Sequence, residues 1–222
     1  MAFSVGVSYG ADRAYGNFTK MDFNNQNAGF ADIVGKRLTI HLVNYADNPL
    51  AGFGLIGSFC KHTISEIAKA TLAEGYLKDF NASYCYLTIN GSYKTSSIYA
   101  GPFLNIPLTR NRVFWLHIKT GFGITAAKTP QIAVEIGSPY SVSFLQSSAS
   151  SATFGFTSGI YFFAKLPVNL SLAIDYYYAR PNFHFDSSGY PLAVSSRYLS
   201  GYNQIMSSIC YSIGLTYQLY RK

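Results

Sequence analysis

Large apolar residues alternate with small or polar residues along most of this chain, which is the period of a β-strand. The alternation is clearest over positions 205–220. One face of this segment carries mostly large apolar side chains: Ile205, Ser207, Ile209, Tyr211, Ile213, Leu215, Tyr217 and Leu219. The other carries Met206, Ser208, Cys210, Ser212, Gly214, Thr216, Gln218 and Tyr220. At about 3.3 Å per residue, such a strand is long enough to cross a bilayer at a tilt.

The same period predicts seven further strands, so that the chain has eight. They lie near residues 3–12, 36–45, 51–62, 96–107, 114–125, 153–162 and 170–178. Gly101 and Pro102 interrupt the fourth strand, where we expect a bulge or a local break. The connections alternate between short turns, near 47–49, 109–112 and 167–169, and long loops, at 14–35, 63–94, 128–151 and 183–201.

This arrangement predicts an all-β fold, a single domain over 1–222. Short turns on one side and long loops on the other are typical of outer-membrane barrels. We therefore expect an eight-stranded antiparallel up-and-down transmembrane β-barrel, with short periplasmic turns and long extracellular loops. A soluble barrel would point its large apolar residues inward. Here the second face of each strand is too rich in glycine and charge for a core, which fits a narrow, filled lumen.

Composition supports a wall that meets lipid. Charged residues make up only 12% of the chain, against about 25% in a typical soluble domain. No apolar run is long enough for a transmembrane helix. No secretory leader is visible before Phe3, so location in the cell outer membrane presumes that a signal peptide has been removed.

One long loop has a helical pattern instead. Thr63 and Glu66 have the spacing of a capping box, and Gly75 is a natural stop. One helical face is apolar between them: Ile64, Ile67, Ala68, Thr71 and Leu72. This face either packs over the barrel mouth or contacts a partner.

The carboxyl end contains a recognisable motif. Ser212, Gly214, Tyr217 and Leu219 match the β-signal of outer-membrane proteins, although Tyr220, Arg221 and Lys222 follow, so that no aromatic residue ends the chain. The resemblance implies recognition of the last strand by the barrel assembly machinery. The whole chain resembles small outer-membrane barrels of the OmpA and OmpX type. Its Gly-Pro, its many tyrosines and its basic end look most like members from Bacteroidota.

Two charges fall on the inward face. Lys119 and Asp175 lie at similar heights with one strand between them, and an unpaired charge in a lumen is costly. We therefore predict a Lys119–Asp175 salt bridge, joined by His117, that acts as a plug or as a gate for small ions. In the loops, Tyr140, Phe144, Leu145, Tyr190 and Tyr198 are apolar candidates for contacts with a partner, beside Ile64, Ile67 and Leu72.

The formal charge of +7 comes from scattered residues. No basic stripe or RNA-binding motif is present, which argues against nucleic acid. Bases on the outer side either pair with lipopolysaccharide phosphates or are solvated: Arg13, Lys20, Lys36, Arg37, Lys61, Lys94, Lys128, Arg180 and Arg197.

Tyr176, Tyr178 and Tyr217 are candidates for the aromatic belts. Cys60 and Cys85 could form a disulfide, but three free thiols are the simpler interpretation. The spacing of cysteines and histidines suggests no metal or other cofactor.

The sequence argues against an enzyme. None of the four histidines has a recognisable hydrolase context, and no Gly-x-Ser-x-Gly or Walker motif is present. We expect a non-catalytic outer-membrane barrel, an accessory subunit of a larger outer-membrane complex, that works through its loops and its lipid-facing wall. The alternatives are a free-standing adhesion or binding barrel and, less favoured, a lipid A-modifying enzyme or a small-ion pore.

Overall fold

The computed structural model describes residues 2–25, 27–45, 50–137, 141–164, 169–185 and 202–220. Eight long strands form the barrel: β1 (Ala2–Tyr15), β2 (Val34–Tyr45), β3 (Ala51–His62), β5 (Tyr93–Pro107), β6 (Phe114–Lys128), β9 (Ser150–Ala164), β10 (Asn169–Ala179) and β13 (Met206–Tyr220). Within the described parts of the long connections lie five shorter strands: β4 (Tyr84–Asn90), β7 (Gln131–Gly137), β8 (Val142–Gln146), β11 (Asn182–Phe183) and β12 (Tyr202–Asn203).

The eight long strands close into one antiparallel barrel. Each pairs with its neighbours in the order β1-β13-β10-β9-β6-β5-β3-β2, and β2 returns to β1. Ala2 lies opposite Tyr220, so both chain ends are at the end of the barrel that carries the short turns. The predicted eight-stranded up-and-down topology is confirmed.

The large apolar residues that alternate in the sequence are the exposed residues of the barrel strands, and the small or polar residues between them are buried. Outward side chains are large and apolar: Phe122 is 67% exposed and Phe154 83%. Inward side chains such as Ser4, Thr157 and Asp175 are buried. The wall is therefore apolar outside and polar inside, the reverse of a soluble barrel.

The Gly-Pro step in β5 is a local break without an inserted residue. Gly101 and Pro102 have no ladder partners on β6, although the register on either side is the same, Ala100 opposite Phe122 and Phe103 opposite Lys119. A Cβ on Gly101 would lie 2.1 Å from the Thr120 carbonyl oxygen. Only glycine allows this close approach of the two backbones.

The long connections fold into a structured layer over one end of the barrel, which we call the cap. It contains α1 (Glu66–Phe80), a 3₁₀ turn (Gly16–Phe18) and a three-stranded sheet of order β4-β7-β8. Its core joins residues from every long connection: Phe18, Phe30, Ile64, Leu72, Tyr76, Ile132, Val134, Ile136, Phe144 and Phe183. The cap is continuous with the barrel because the same core includes Ala14, Tyr93 and Met206, which belong to barrel strands.

The helix α1 lies where the sequence predicts one, but two details of the prediction are wrong. Its N-cap is Ser65, whose hydroxyl accepts a hydrogen bond from the Ala68 N–H at 3.2 Å, and not Thr63. The helix continues through Gly75 and ends at Phe80, and its C-cap is Asn81, whose backbone is left-handed with φ 46°. Gly75 serves packing instead, since a Cβ there would lie 2.2 Å from the Phe23 ring.

Among the residues that the structure describes, no helix is both long and apolar enough to cross a bilayer.

Candidate functional site: the filled lumen and the cap

The lumen just beneath the cap is organised around one carboxylate, that of Asp12. Arg37 donates to it twice, from Nε to Oδ1 at 2.7 Å and from Nη2 to Oδ2 at 3.1 Å. Cys60 Sγ and Ser208 Oγ also donate, each at 3.1 Å. His62 Nε2 lies 2.8 Å from Oδ2. Because these partners belong to other strands, Asp12 ties β1 to β2, β3 and β13.

Arg37 carries the network across the lumen. Its guanidinium donates to Ser58 at 3.0 Å and stacks on the Tyr177 ring at 3.7 Å from the ring centroid. The Tyr177 hydroxyl lies 3.0 Å from the Thr39 hydroxyl. A guanidinium that is 5% exposed is thus paired with a carboxylate and stacked on an aromatic face, which compensates its loss of water.

A second buried pair lies further from the cap. Lys119 Nζ is 3.0 Å from Asp175 Oδ1, and both side chains are fully buried. The Tyr161 hydroxyl accepts from Lys119 and donates to Asp175 Oδ2 at 3.1 Å. The predicted Lys119–Asp175 pair is present. Glycine at 159 makes room for it, because a Cβ there would lie 1.8 Å from Asp175 Oδ1.

His117 does not join this pair, contrary to the prediction. Its ring packs edge-on against Phe163, with centroids 4.2 Å apart, and its Nε2 has no hydrogen-bond partner. The tyrosine from the intervening strand takes the position that we assigned to the histidine. His41 packs against Phe103 and against Tyr161, with ring centroids 6.3 and 5.5 Å apart.

A small cavity lies beside the Asp12 network on the side of the cap, since Phe18 and Met206 also line it. The cavity lined by Asp12, Arg37, Tyr99, Thr125 and Tyr177 measures about 20 Å³. That is room for about one water molecule. Tyr99 and Ser97 both hydrogen-bond to Thr125, at 2.8 and 2.9 Å, and so close the wall on the β5–β6 side.

Asp12, Cys60 and His62 offer three potential metal ligands within 4.8 Å of one another. Their chemistry fits an ion network better than a metal centre. Both carboxylate oxygens already accept hydrogen bonds, and the Arg37 guanidinium would oppose a second cation. The three cysteines are free thiols. Cys85 lies in the cap, where partial burial raises the pKa of its thiol.

The cap presents an exposed sheet face. One side of the β4-β7-β8 sheet packs into the cap core, while Tyr84, Tyr86 and Leu145 on the other side are 40%, 67% and 48% exposed. On α1, Ile67 is 71% exposed. Leu145 and Ile67 are thus available for contacts, as predicted.

Other predicted contact residues are not available. Ile64, Leu72 and Phe144 are buried in the cap core, because the loops fold against one another and not outward. Tyr140, Tyr190 and Tyr198 lie outside the described residues. The prediction that places bases on the outer side is wrong for Arg37, whose side chain points into the lumen. Arg197 is not among the described residues.

The residues of the carboxyl-terminal motif lie on β13. Ser212 is buried and faces the lumen, and Tyr217 is 66% exposed on the outer wall. A Cβ on Gly214 would lie 2.6 Å from the Val7 carbonyl oxygen, so glycine allows β13 to approach β1 closely. Leu219 lies opposite Phe3 where the two strands close the barrel.

Sequence reasoning missed Asp12, Arg37, His62 and Tyr161 as members of the lumen networks. Asp12 could have been found, since it shares the inward face of β1 with Ser4 and Ser8. The same signal marks Arg37, which shares the inward face of β2 with Thr39 and His41, while Lys36 shares the outward face with Leu38 and Ile40.

Fold and lumen together define a closed eight-stranded antiparallel barrel with a polar, filled interior. No protein-family model matches the chain, and no curated protein matches it. Among solved structures it is similar to Ail, the attachment invasion locus protein of Yersinia pestis, with 14% identity, 97% of this chain and 98% of that chain covered, and a TM-score of 0.48. It is also similar to Neisserial surface protein A, with 11% identity, 97% of both chains covered and a TM-score of 0.44.

A major outer membrane protein from Thermus thermophilus is similar as well, with 11% identity, 98% and 99% of the two chains covered, and a TM-score of 0.47. Identities this low, with TM-scores below 0.5, assign neither a family nor an activity.

Proposed function

We propose that the chain is a non-catalytic integral barrel of a bacterial outer membrane that presents its cap to a protein partner at the cell surface. The observation that carries the proposal is the reversed wall, large apolar side chains outside and a filled polar lumen inside. Such a wall is stable only when hydrocarbon covers it. The long connections form the cap at one end, and by analogy with other such barrels we assign that end to the extracellular side.

The lumen favours a structural role over a pore. Two buried ion networks and several aromatic side chains occupy the interior, and the cavity beside the Asp12 network holds about one water molecule. Eight strands enclose a space just wide enough for side chains. A gate for small ions would have to move Arg37 or Lys119 away from a buried carboxylate, at a cost of several kcal/mol.

The histidines argue against a hydrolase. In the part of the chain that the structure describes, no histidine is hydrogen-bonded to a serine or threonine hydroxyl, the pair that acyl transfer requires. His62 instead contacts Asp12 and the Asp32 carbonyl oxygen. We therefore favour binding over catalysis, including catalysis on lipid A.

The cap supports the choice of a protein partner. A folded sheet face with two exposed tyrosines and a leucine is the kind of surface that protein interfaces use. We infer that the chain is an accessory subunit of a larger outer-membrane assembly. A free-standing adhesion barrel would use the same surface on a host or neighbouring-cell ligand. Origin in Bacteroidota and recognition of β13 by the assembly machinery remain predictions.

Gentle detergent extraction from native membranes, followed by native mass spectrometry, tests the proposal. A species of fixed composition, larger than the chain mass of 24.4 kDa, supports the accessory subunit. Loss of that species in Tyr86→Ser/Leu145→Ser, but not in the exposed control Thr88→Ser, would assign the cap as the contact surface. A single species at the chain mass would contradict the subunit role and favour the adhesion barrel.

A further inference from the structure

Four exposed lysines stand side by side on the outer wall of the barrel, next to the cap. Lys36 of β2 lies opposite Lys61 of β3, Lys61 opposite Lys94 of β5, and Lys94 opposite Lys128 of β6. Adjacent strands lie about 4.8 Å apart, so the row extends over about 14 Å of the wall. All four side chains are exposed. We call these residues the lysine row.

The row has no acidic partners on the sheet. Its ends are flanked by Ala11 on β1 and Ser150 on β9. None of the four lysines makes an ion pair with any residue that the structure describes. Like charges directly opposite one another on a sheet are destabilising. Four of them in register therefore point to an anionic group outside the chain that compensates the repulsion.

The four lysines occupy β2, β3, β5 and β6, whereas the outer rim on the other side carries two separate bases, Arg13 on β1 and Arg180 directly after β10. Tyrosines lie between these two bases, and the rings of Tyr15 on β1 and Tyr176 on β10 are 6.2 Å apart. Tyrosines suit any lipid headgroup layer. A concentrated row of ammonium groups on the four lysine-bearing strands indicates a specific anionic ligand there.

An apolar groove begins directly below the row. Next to the lysines it is lined by Lys94, Lys128, Ser96, Ala126 and Ala152. Further down the wall it continues past the same Ser96 and Ala126. The deeper part is lined by Ala100, Gly123, Ile98, Ile124, Phe59 and Phe122. The small side chains of Ser96, Ala126 and Ala152 thus leave a depression directly below the lysines, bordered further down by the opposed Ile98 and Ile124. An acyl chain can fill such a depression.

Cations above an apolar groove match an amphiphile with phosphates next to its acyl chains. Lysine binds phosphate as a point charge, and four cations over about 14 Å match two phosphates better than one. We propose that the lysine row and its groove bind a bisphosphorylated glycolipid of the lipid A type, with its phosphates on the row and one acyl chain in the groove. This inference rests on the proposed function, because it needs this wall in the outer leaflet.

Lipid titration with native mass spectrometry of the full chain in detergent tests the inference. The probes are bisphosphorylated lipid A, monophosphorylated lipid A and phosphatidylglycerol. The test variants are Lys94→Gln/Lys128→Gln and, independently, Lys36→Gln/Lys61→Gln. The matched control is Lys69→Gln/Lys78→Gln on α1, which removes the same charge from lysines that already pair with Glu66 and Glu74. Heat-modifiable migration on gels checks that each variant is folded.

We expect the wild-type chain to bind the bisphosphorylated lipid at least about tenfold more tightly than either other probe. Each row variant should lose about tenfold in affinity, while the control stays within about twofold. Equal binding of phosphatidylglycerol would overturn the inference, as would equal losses in the control, which would mean that net charge alone is sensed. Failure here leaves the proposed function standing, because partner binding by the cap is measured separately.

Discussion

The buried Lys119–Asp175 pair gives the sharpest test of how the lumen is held together. Lys119→Met keeps the length of the side chain but removes its charge. Asp175 Oδ1 then loses an ammonium at 3.0 Å, while the Tyr161 hydroxyl still donates to Oδ2. Removal of one partner from a fully buried pair costs about 3–5 kcal/mol. We expect a loss of that size in the free energy of unfolding.

The double variant Lys119→Met/Asp175→Leu separates the pair from its surroundings. Without the charge on either side no uncompensated ion remains, so the double variant should lose much less than the sum of Lys119→Met and Asp175→Leu. Urea unfolding in lipid vesicles measures all four species. The fluorescence of Trp115, the single tryptophan, follows the unfolding transition. In the folded barrel its ring stacks on the Phe163 ring, with centroids 6.2 Å apart. Losses that add to within about 0.5 kcal/mol would refute coupling between the two side chains.

Two glycines offer a matched check of the same site. Gly159→Ala places a methyl group 1.8 Å from Asp175 Oδ1 and should displace the carboxylate from Lys119. Gly57→Ala adds the same group on β3, where the nearest heavy atom is 3.9 Å away. The loss in the free energy of unfolding should approach that of Lys119→Met in Gly159→Ala, and it should be near zero in Gly57→Ala. Equal effects would mean that strand propensity, and not the ion pair, sets the loss.

Three further outcomes follow from the structure. Asp12→Asn leaves the Arg37 guanidinium without its counterion in the lumen, so urea unfolding should show a loss of about 3–5 kcal/mol in the free energy of unfolding. A loss below about 1 kcal/mol would contradict the central place of Asp12 in its network. Gly75→Ala forces the Phe23 ring to move, so hydrogen exchange of α1 should quicken while barrel strands stay protected; unchanged exchange would contradict the packing. Maleimide should label Cys85 alone in the folded protein. Because burial raises the pKa of the Cys85 thiol, the labelling rate should keep rising with pH above the usual pKa of a thiol. Labelling of all three thiols would contradict the closed lumen.

The barrel could be predicted from the sequence because its wall imposes one rule on every strand. Each barrel strand must put large apolar residues outward, so the alternation is long enough to read even where single residues depart from it. The Lys119–Asp175 pair followed from the same rule. Both residues fall on inward faces, and β9 lies between their strands, which places them across a narrow lumen.

The cap could not be predicted to the same extent. Its core joins connections that are far apart in sequence, so no local pattern shows which loop residues become buried. Ile64, Leu72 and Phe144 have the same apolar character as the exposed Ile67. The strand β4 did carry a readable signal, since Cys85, Leu87 and Ile89 alternate with Tyr86 and Thr88, but a strand outside the barrel was not expected.

Arg37 shows how register assigns two neighbouring bases to opposite faces. A shift of one residue moves every side chain of a strand to the other face. Near the start of β2 the sequence reads Lys36-Arg37, and either base would be acceptable on the outer rim. The period of two along β2 decides between them, because Arg37 has the parity of the inward Thr39 and His41 and Lys36 that of the outward Ile40. Arg37 then meets Asp12 of β1, and Lys36 joins the lysine row.

Spin-label accessibility along β13 in lipid bilayers tests the central claim, that the apolar face of the wall meets lipid. Single cysteines from 209 to 217, in a background without the native thiols, are labelled and probed with oxygen and with a water-soluble relaxing agent. We predict a period of two, with labels at Tyr211, Ile213 and Leu215 accessible to oxygen and labels at Ser212 and Gly214 protected from both agents. Higher accessibility to the water-soluble agent at the outward positions would contradict a membrane-spanning barrel.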